Sequence, residues 1–152
     1  MSEKVSSIAH VIRTNRRIAL DSNVLIYLLE GNGPRAESAA QLVDAIGRGE
    51  IEGVLASVGL AEVLVASART DDGPLFERTA ATVRDIGLRL VALDRQAAED
   101  AAWIRGRTGA SMPDAIHLAC AVQAGATAFV TNDRRMPSLP RLALVILDDL
   151  VA

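Results

Sequence analysis

Four acids stand at junctions of the chain where an apolar segment gives way to a helix or a loop: Asp21 after "RIAL", Glu62 in "ASVGLAEVL", Asp114 in "SMPDAIHLAC" and Asp133 in "TAFVTND". Carboxylates gathered within a few ångströms in a partly desolvated crevice repel one another. Oxygen-rich clusters of this kind hold hard divalent cations such as Mg2+ or Mn2+. A cation held so can acidify a bound water or polarise a ligand. That chemistry is open to this chain only if the fold brings the four acids together.

Asp114 raises the question most sharply. It opens a helix that is apolar on nearly all sides from Ala115 to Val122, and such a helix is buried. Buried acids are costly unless paired or metal-bound. The helix N-terminus favours a negative charge there, which is one answer; a cation facing the residue is the other. Taken singly, the other acids also have ordinary readings. Asp21 before "SN" suits a turn or cap, Glu62 suits the first turn of a helix, and Asp133 suits a loop.

The elements that must position them follow from the pattern of short apolar runs. Strands are expected at 17–20, 53–57, 88–93, 127–131 and 142–147. Between them lie helices at 23–31, from Pro34 to the "GRG" at 47–49, at 60–69 and at 74–86. Two more follow, one capped by Asp94 and one running from Asp114 to Gly125. The alternation predicts a single α/β domain with a mainly parallel sheet of about five strands flanked by helices. In such a sheet the loops beyond the carboxyl ends of the strands form the binding crevice. Asp21 and Asp133 must lie at that edge, and Glu62 and Asp114, at or near helix starts, face the same side. Residues 1–16 stand outside the pattern as an N-terminal extension, a tail or an added helix, before a domain at 17–152.

Composition narrows the choices. Half of the 152 residues are hydrophobic, and the net charge of −3 advertises no global affinity for nucleic acid, so a polyanion needs a local patch or metal ions. Fifteen of the 16 bases are Arg and the only Lys is Lys4. One cysteine, Cys120, forms no internal disulfide, and with two histidines it builds no ordinary zinc site. The amino terminus lacks a long apolar core and no run is a membrane span, so a cytoplasmic protein is expected. A phosphatase of the haloacid dehalogenase type needs an acid two residues after Asp21, where Asn23 stands, and a lysine inside the fold. A response-regulator receiver fails for the same lysine.

"IALDSNVLIYLL", "ASVGLAEVL" and "MPDAIHLACAVQAGATAFVTNDRRM" resemble, in order, the blocks of the PIN domain, a metal-dependent nuclease fold that includes VapC-type toxins. The resemblance spans about residues 17–147, and the last block carries it most specifically. It implies an endoribonuclease using Mg2+ or Mn2+, an antitoxin partner and a homodimer. It further implies that Asp21, Glu62 and Asp114 are metal ligands and that Asp133 is a fourth, direct or through water, with Thr131 and Asn132 in support. The extension before the first strand departs from compact toxins. Arg134 and Arg135 are candidate phosphate contacts or solvated loop residues, and Ser57 is a ligand contact or a strand terminator. His117, one turn after Asp114, reads as a satisfied core histidine in preference to a site residue. Trp103, Arg105 and Arg107 form a helix face whose use is open. A PIN-like binding module without catalysis remains the alternative function.

Overall fold

The strand β1 (Arg17–Leu20) is apolar after its first residue, and Ile18, Ala19 and Leu20 are buried, as a strand covered on both faces requires. The computed structural model describes residues 7–150. In it β2 (Glu52–Ala56), β3 (Arg89–Val91), β4 (Ala128–Thr131) and β5 (Ala143–Ile146) join β1 in one sheet, ordered β3-β2-β1-β4-β5. All four pairings are parallel. The single α/β domain with a five-stranded parallel sheet is therefore as expected. The third strand is shorter than the expected 88–93, because only residues 89–91 pair with β2 at this sheet edge, and Leu90 and Leu93 are exposed.

Two apolar layers sandwich the sheet. On one face lie α1 (Ile8–Thr14), α2 (Ser22–Glu30), α3 (Gly33–Gly47), α4 (Ser57–Arg69) and α5 (Gly73–Asp85), sharing a core of Ile18, Leu20, Leu25, Leu42 and Leu55. On the other lie α6 (Arg95–Thr108) and α7 (Met112–Gln123), packed on Ala19, Val54 and Phe129. Within the expected extension, Ser7 caps α1, whose Ile8 and Val11 are buried in the first of these cores. Residues 1–6 of that segment lie outside the described residues, as do 151–152 at the far end of the domain. None of the described helices is long and apolar enough to cross a membrane.

The chain runs outward from β1 through β2 to β3 and then crosses back to β4, so the strand order switches between β1 and β4. Ligands of open parallel sheets bind beyond the strand ends at such a switch. Local chemistry sets the helices that rise from this edge. Asp21 caps α2 by accepting the Ser22 N–H, and Gly31, at φ 74°, ends it in the left-handed region. α4 begins at Ser57 with no loop after β2, three residues earlier than expected, so Glu62 lies in its second turn and not its first. α7 begins at Met112, capped by Ser111, with Pro113 in its first turn. Asp114 is thus the third residue of the helix, not its opening one.

Candidate active site

The site grows from the end of β1. The Asp21 backbone N–H donates to the Val130 carbonyl at 2.9 Å, extending the β1–β4 pairing one residue beyond the strand. The residue is only 6% exposed. Oδ1 accepts the Ser22 N–H at 2.8 Å, and Oδ2 accepts the Thr131 hydroxyl at 2.7 Å. The same Thr131 oxygen accepts the Asp133 N–H at 3.0 Å and the Asn23 side-chain amide at 3.4 Å. A fully buried threonine at the end of β4 therefore ties Asp21 to Asp133.

Glu62 reaches the group from α4. Its Oε1 lies 2.7 Å from His117 Nε2, which stands 3.6 Å from Asp21 Oδ1. The His117 contact, aided by Ser22, holds the Glu62 carboxyl below its ordinary range against the opposing effect of burial. Asp114 shows the opposite behaviour. Partial burial pushes its carboxyl up, and the charges of Asp21 and Asp133 push it further, against the Ser111 hydroxyl and His117. Asp133 lines one cleft of about 360 Å3 with Asp114, Ser111, Arg135 and Pro137. Arg135 grips it through the backbone N–H at 2.9 Å and the guanidinium at 3.1 Å, which holds its carboxyl below the ordinary range. All four acids therefore meet around the β1–β4 switch.

The remaining expected site residues are placed differently. Asn132 accepts the Asp148 N–H at 3.0 Å and donates to the Tyr27 hydroxyl at 3.3 Å, bracing the loop; among the described residues its side chain shares no hydrogen bond with the four acids. Arg134 forms a two-pronged pair with Asp149, at 2.9 and 2.6 Å. Ser57 is the first residue of α4 and, among the described residues, shares no side-chain hydrogen bond with the four acids. His117 is both buried, at 2% exposure, and inside the site. The reading that set core against site missed this, because the sequence does not show that α4 carries Glu62 to it. Asn23 was also missed, although its position two residues after Asp21 was the available signal.

The donor set is chemically that of a hard cation. Four carboxylates supply oxygen, and Asn23 Oδ1 is buried without a hydrogen-bond donor, an oxygen for which an ion or its bound water is a fitting partner. As the side chains stand, no three Asp, Glu, His or Cys groups among the described residues are drawn around one point closely enough to hold an ion. Glu62 is turned to His117 and Asp133 to Arg135.

The position of Asp114 gives a pH dependence with a definite sign. An acid raised in the folded chain takes up its proton there before it does in the unfolded chain. Its contribution to stability therefore falls as pH rises from the ordinary carboxylate range through the raised one. The helix N-terminus favours its charge, but burial and the neighbouring acids outweigh that. Metal-free Asp114→Asn protein is expected to melt above wild type near neutral pH, by about one or two degrees. That gap should close as pH is lowered through the ordinary carboxylate range, as wild-type Asp114 takes up a proton of its own. Calorimetry across that range checks both the sign and the closure.

The fold is a parallel α/β domain with carboxylates near its switch point. The chain belongs to the PIN domain family, whose model matches residues 18–142. Solved structures share the fold. A toxin–antitoxin complex from Klebsiella pneumoniae is 20% identical with a TM-score of 0.66, covering 83% of this chain and 95% of that one. FitAcB from Neisseria gonorrhoeae is 19% identical with a TM-score of 0.67, covering 86% and 97%. VapC20 of Mycobacterium tuberculosis, described as a sarcin–ricin-loop-cleaving toxin, is 16% identical with a TM-score of 0.57, covering 74% and 86%. No curated protein matches the sequence.

Proposed function

We propose that the protein is a metal-dependent endoribonuclease, the toxin of a toxin–antitoxin pair, acting in the cytoplasm. The observation that carries the reading is the meeting at the β1–β4 switch of Asp21, Glu62 and Asp133, joined through Thr131 and His117, with Asp114, which shares a cleft with Asp133. Membership of the PIN domain family supports nuclease chemistry, and the described activity of the M. tuberculosis neighbour supports RNA as substrate. The neighbours that are toxin–antitoxin complexes support a protein antitoxin as partner.

In this reading Asp21, Glu62, Asp114 and Asp133 hold Mg2+ or Mn2+, with Asn23 Oδ1 as a further oxygen. A bound cation supplies an acidified water and positive charge for the leaving oxygen. Thr131 keeps Asp21 and Asp133 in register. When Asp133 turns inward, the Arg135 guanidinium is released beside the cleft, where it contacts a substrate phosphate. Arg134 stays with Asp149 and steadies the loop.

Because a cation that binds only the native state stabilises it, millimolar Mn2+ should raise the thermal midpoint of wild type, and much less that of Asp114→Asn. A midpoint that ignores Mn2+ removes the metal site. The second reading, a PIN-like binding module without catalysis, is favoured by the present pairing of Asp133 with Arg135. It predicts Mn2+ binding without RNA cleavage, or no Mn2+ binding at all. The protein is also proposed to be a homodimer, with Trp103, 67% exposed on α6, among the apolar side chains that remain to be covered. Sedimentation at micromolar concentration should give twice the 16.1 kDa chain mass, and a clean monomer there counts against the dimer.

A further inference from the structure

The roles proposed for the acids leave His117 without a task, yet the fold makes special room for it. Its ring meets Phe129 edge-on, with centroids 6.1 Å apart, and Nε2 lies between the carboxylates of Glu62 and Asp21. A Cβ on Gly59 would come within 2.7 Å of His117 Cε1 and 2.7 Å of Leu55 Cδ1, closer than packed carbons sit. α4 therefore approaches the ring only because residue 59 has no side chain. Glu62, three residues further along the same helix, shares that face and is delivered to Nε2 by the same approach.

We propose that His117 is a positioning residue: from α7 its Nε2–H holds the Glu62 carboxylate beside Asp21, so that two acids from different elements serve one divalent cation. The inference rests on the nuclease reading above. Its physical need is plain. Glu62 is on a long side chain, 38% exposed, and faces a like charge in Asp21. Without a donor between them, repulsion and rotamer freedom both favour swinging Glu62 into solvent. A histidine that merely filled the core would need the Phe129 contact and the ring's volume, but no hydrogen bond to an acid.

Two substitutions separate donor from volume. His117→Phe keeps a ring of similar size and loses the N–H, whereas His117→Gln restores a donor at about the same reach. Folding is checked by circular dichroism, and Mn2+ affinity is measured by isothermal titration calorimetry on metal-free protein. Groups that orient a metal ligand are worth about 10–100-fold in metal affinity. His117→Phe is expected to weaken Mn2+ binding by about that factor, with His117→Gln within a few-fold of wild type. Gly59→Ala, which alters no acid and no donor, should weaken Mn2+ binding by displacing the ring, and it stands in if His117→Phe does not fold. Wild-type affinity in His117→Phe overturns the assignment, as does an equal loss in His117→Phe and His117→Gln. Absence of Mn2+ binding by wild type overturns the nuclease reading itself, which is a different result.

Discussion

Asp21→Asn is expected to abolish Mn2+-dependent cleavage of RNA while the protein remains folded. Asp21 is the most buried of the four acids, and each of its oxygens already serves a donor, Ser22 N–H and the Thr131 hydroxyl. An amide keeps the shape but replaces one acceptor with a donor, so one buried hydrogen bond is lost, at roughly 1–2 kcal/mol. Relief of the repulsion with Asp114 offsets part of this, and the remainder is small beside the stability typical of a domain. The loss of activity is far larger. Removing a charged ligand exceeds the roughly 100-fold that loss of a supporting group costs. The double substitution with Asp114→Asn should be no worse than either single one, because the cluster acts as a unit. Initial cleavage rates for the three variants check this, and additive losses would mean that the two acids serve separate tasks.

Thr131→Val is expected to cost the fold about 1.5–3 kcal/mol, the worth of a hydrogen bond to a charged group. Val fits a buried strand as well as Thr does, so backbone and volume are conserved. What disappears is one hydroxyl with two assignments, donating to Asp21 Oδ2 and accepting from the Asp133 N–H. The urea midpoint should fall with the slope unchanged, and Thr131→Ser should restore most of it. Mn2+ affinity should fall with stability in Thr131→Val, since both acids lose their common anchor. A valine variant as stable as wild type would show that the relay between β1 and β4 contributes nothing.

The sheet edge was legible because each strand is a short apolar run cut off by a polar residue. Asp21 after "RIAL" and Asp133 after "TAFVTN" had to lie at the carboxyl ends of their strands. The helix starts were less legible. No Gly, Pro or capping side chain separates β2 from α4, so nothing local marks Ser57 as the first helical residue. Ser111 caps α7 from within a stretch that reads as loop until the helix is seen. Both slips displaced Glu62 and Asp114 within their helices without moving them from the site.

Partnerships between distant side chains were not legible at all. Periodicity placed His117 on a buried helix but carried no information about the 2.7 Å contact with Glu62, 55 residues away. The two adjacent arginines looked equivalent in sequence. Only the turn of the loop and the neighbouring 3-10 helix (Leu147–Asp149) send Arg135 to Asp133 and Arg134 to Asp149.

The most direct test of the central claim is cleavage of single-stranded RNA by purified wild type with Mn2+, by wild type with excess EDTA, and by Asp114→Asn with Mn2+. Cleavage in the first case alone is the predicted result, since Asp114 faces the cleft beside Asp133 and shares the charge of the group. Cleavage that survives EDTA or the Asp114→Asn substitution would contradict a reaction carried by cations at these four acids.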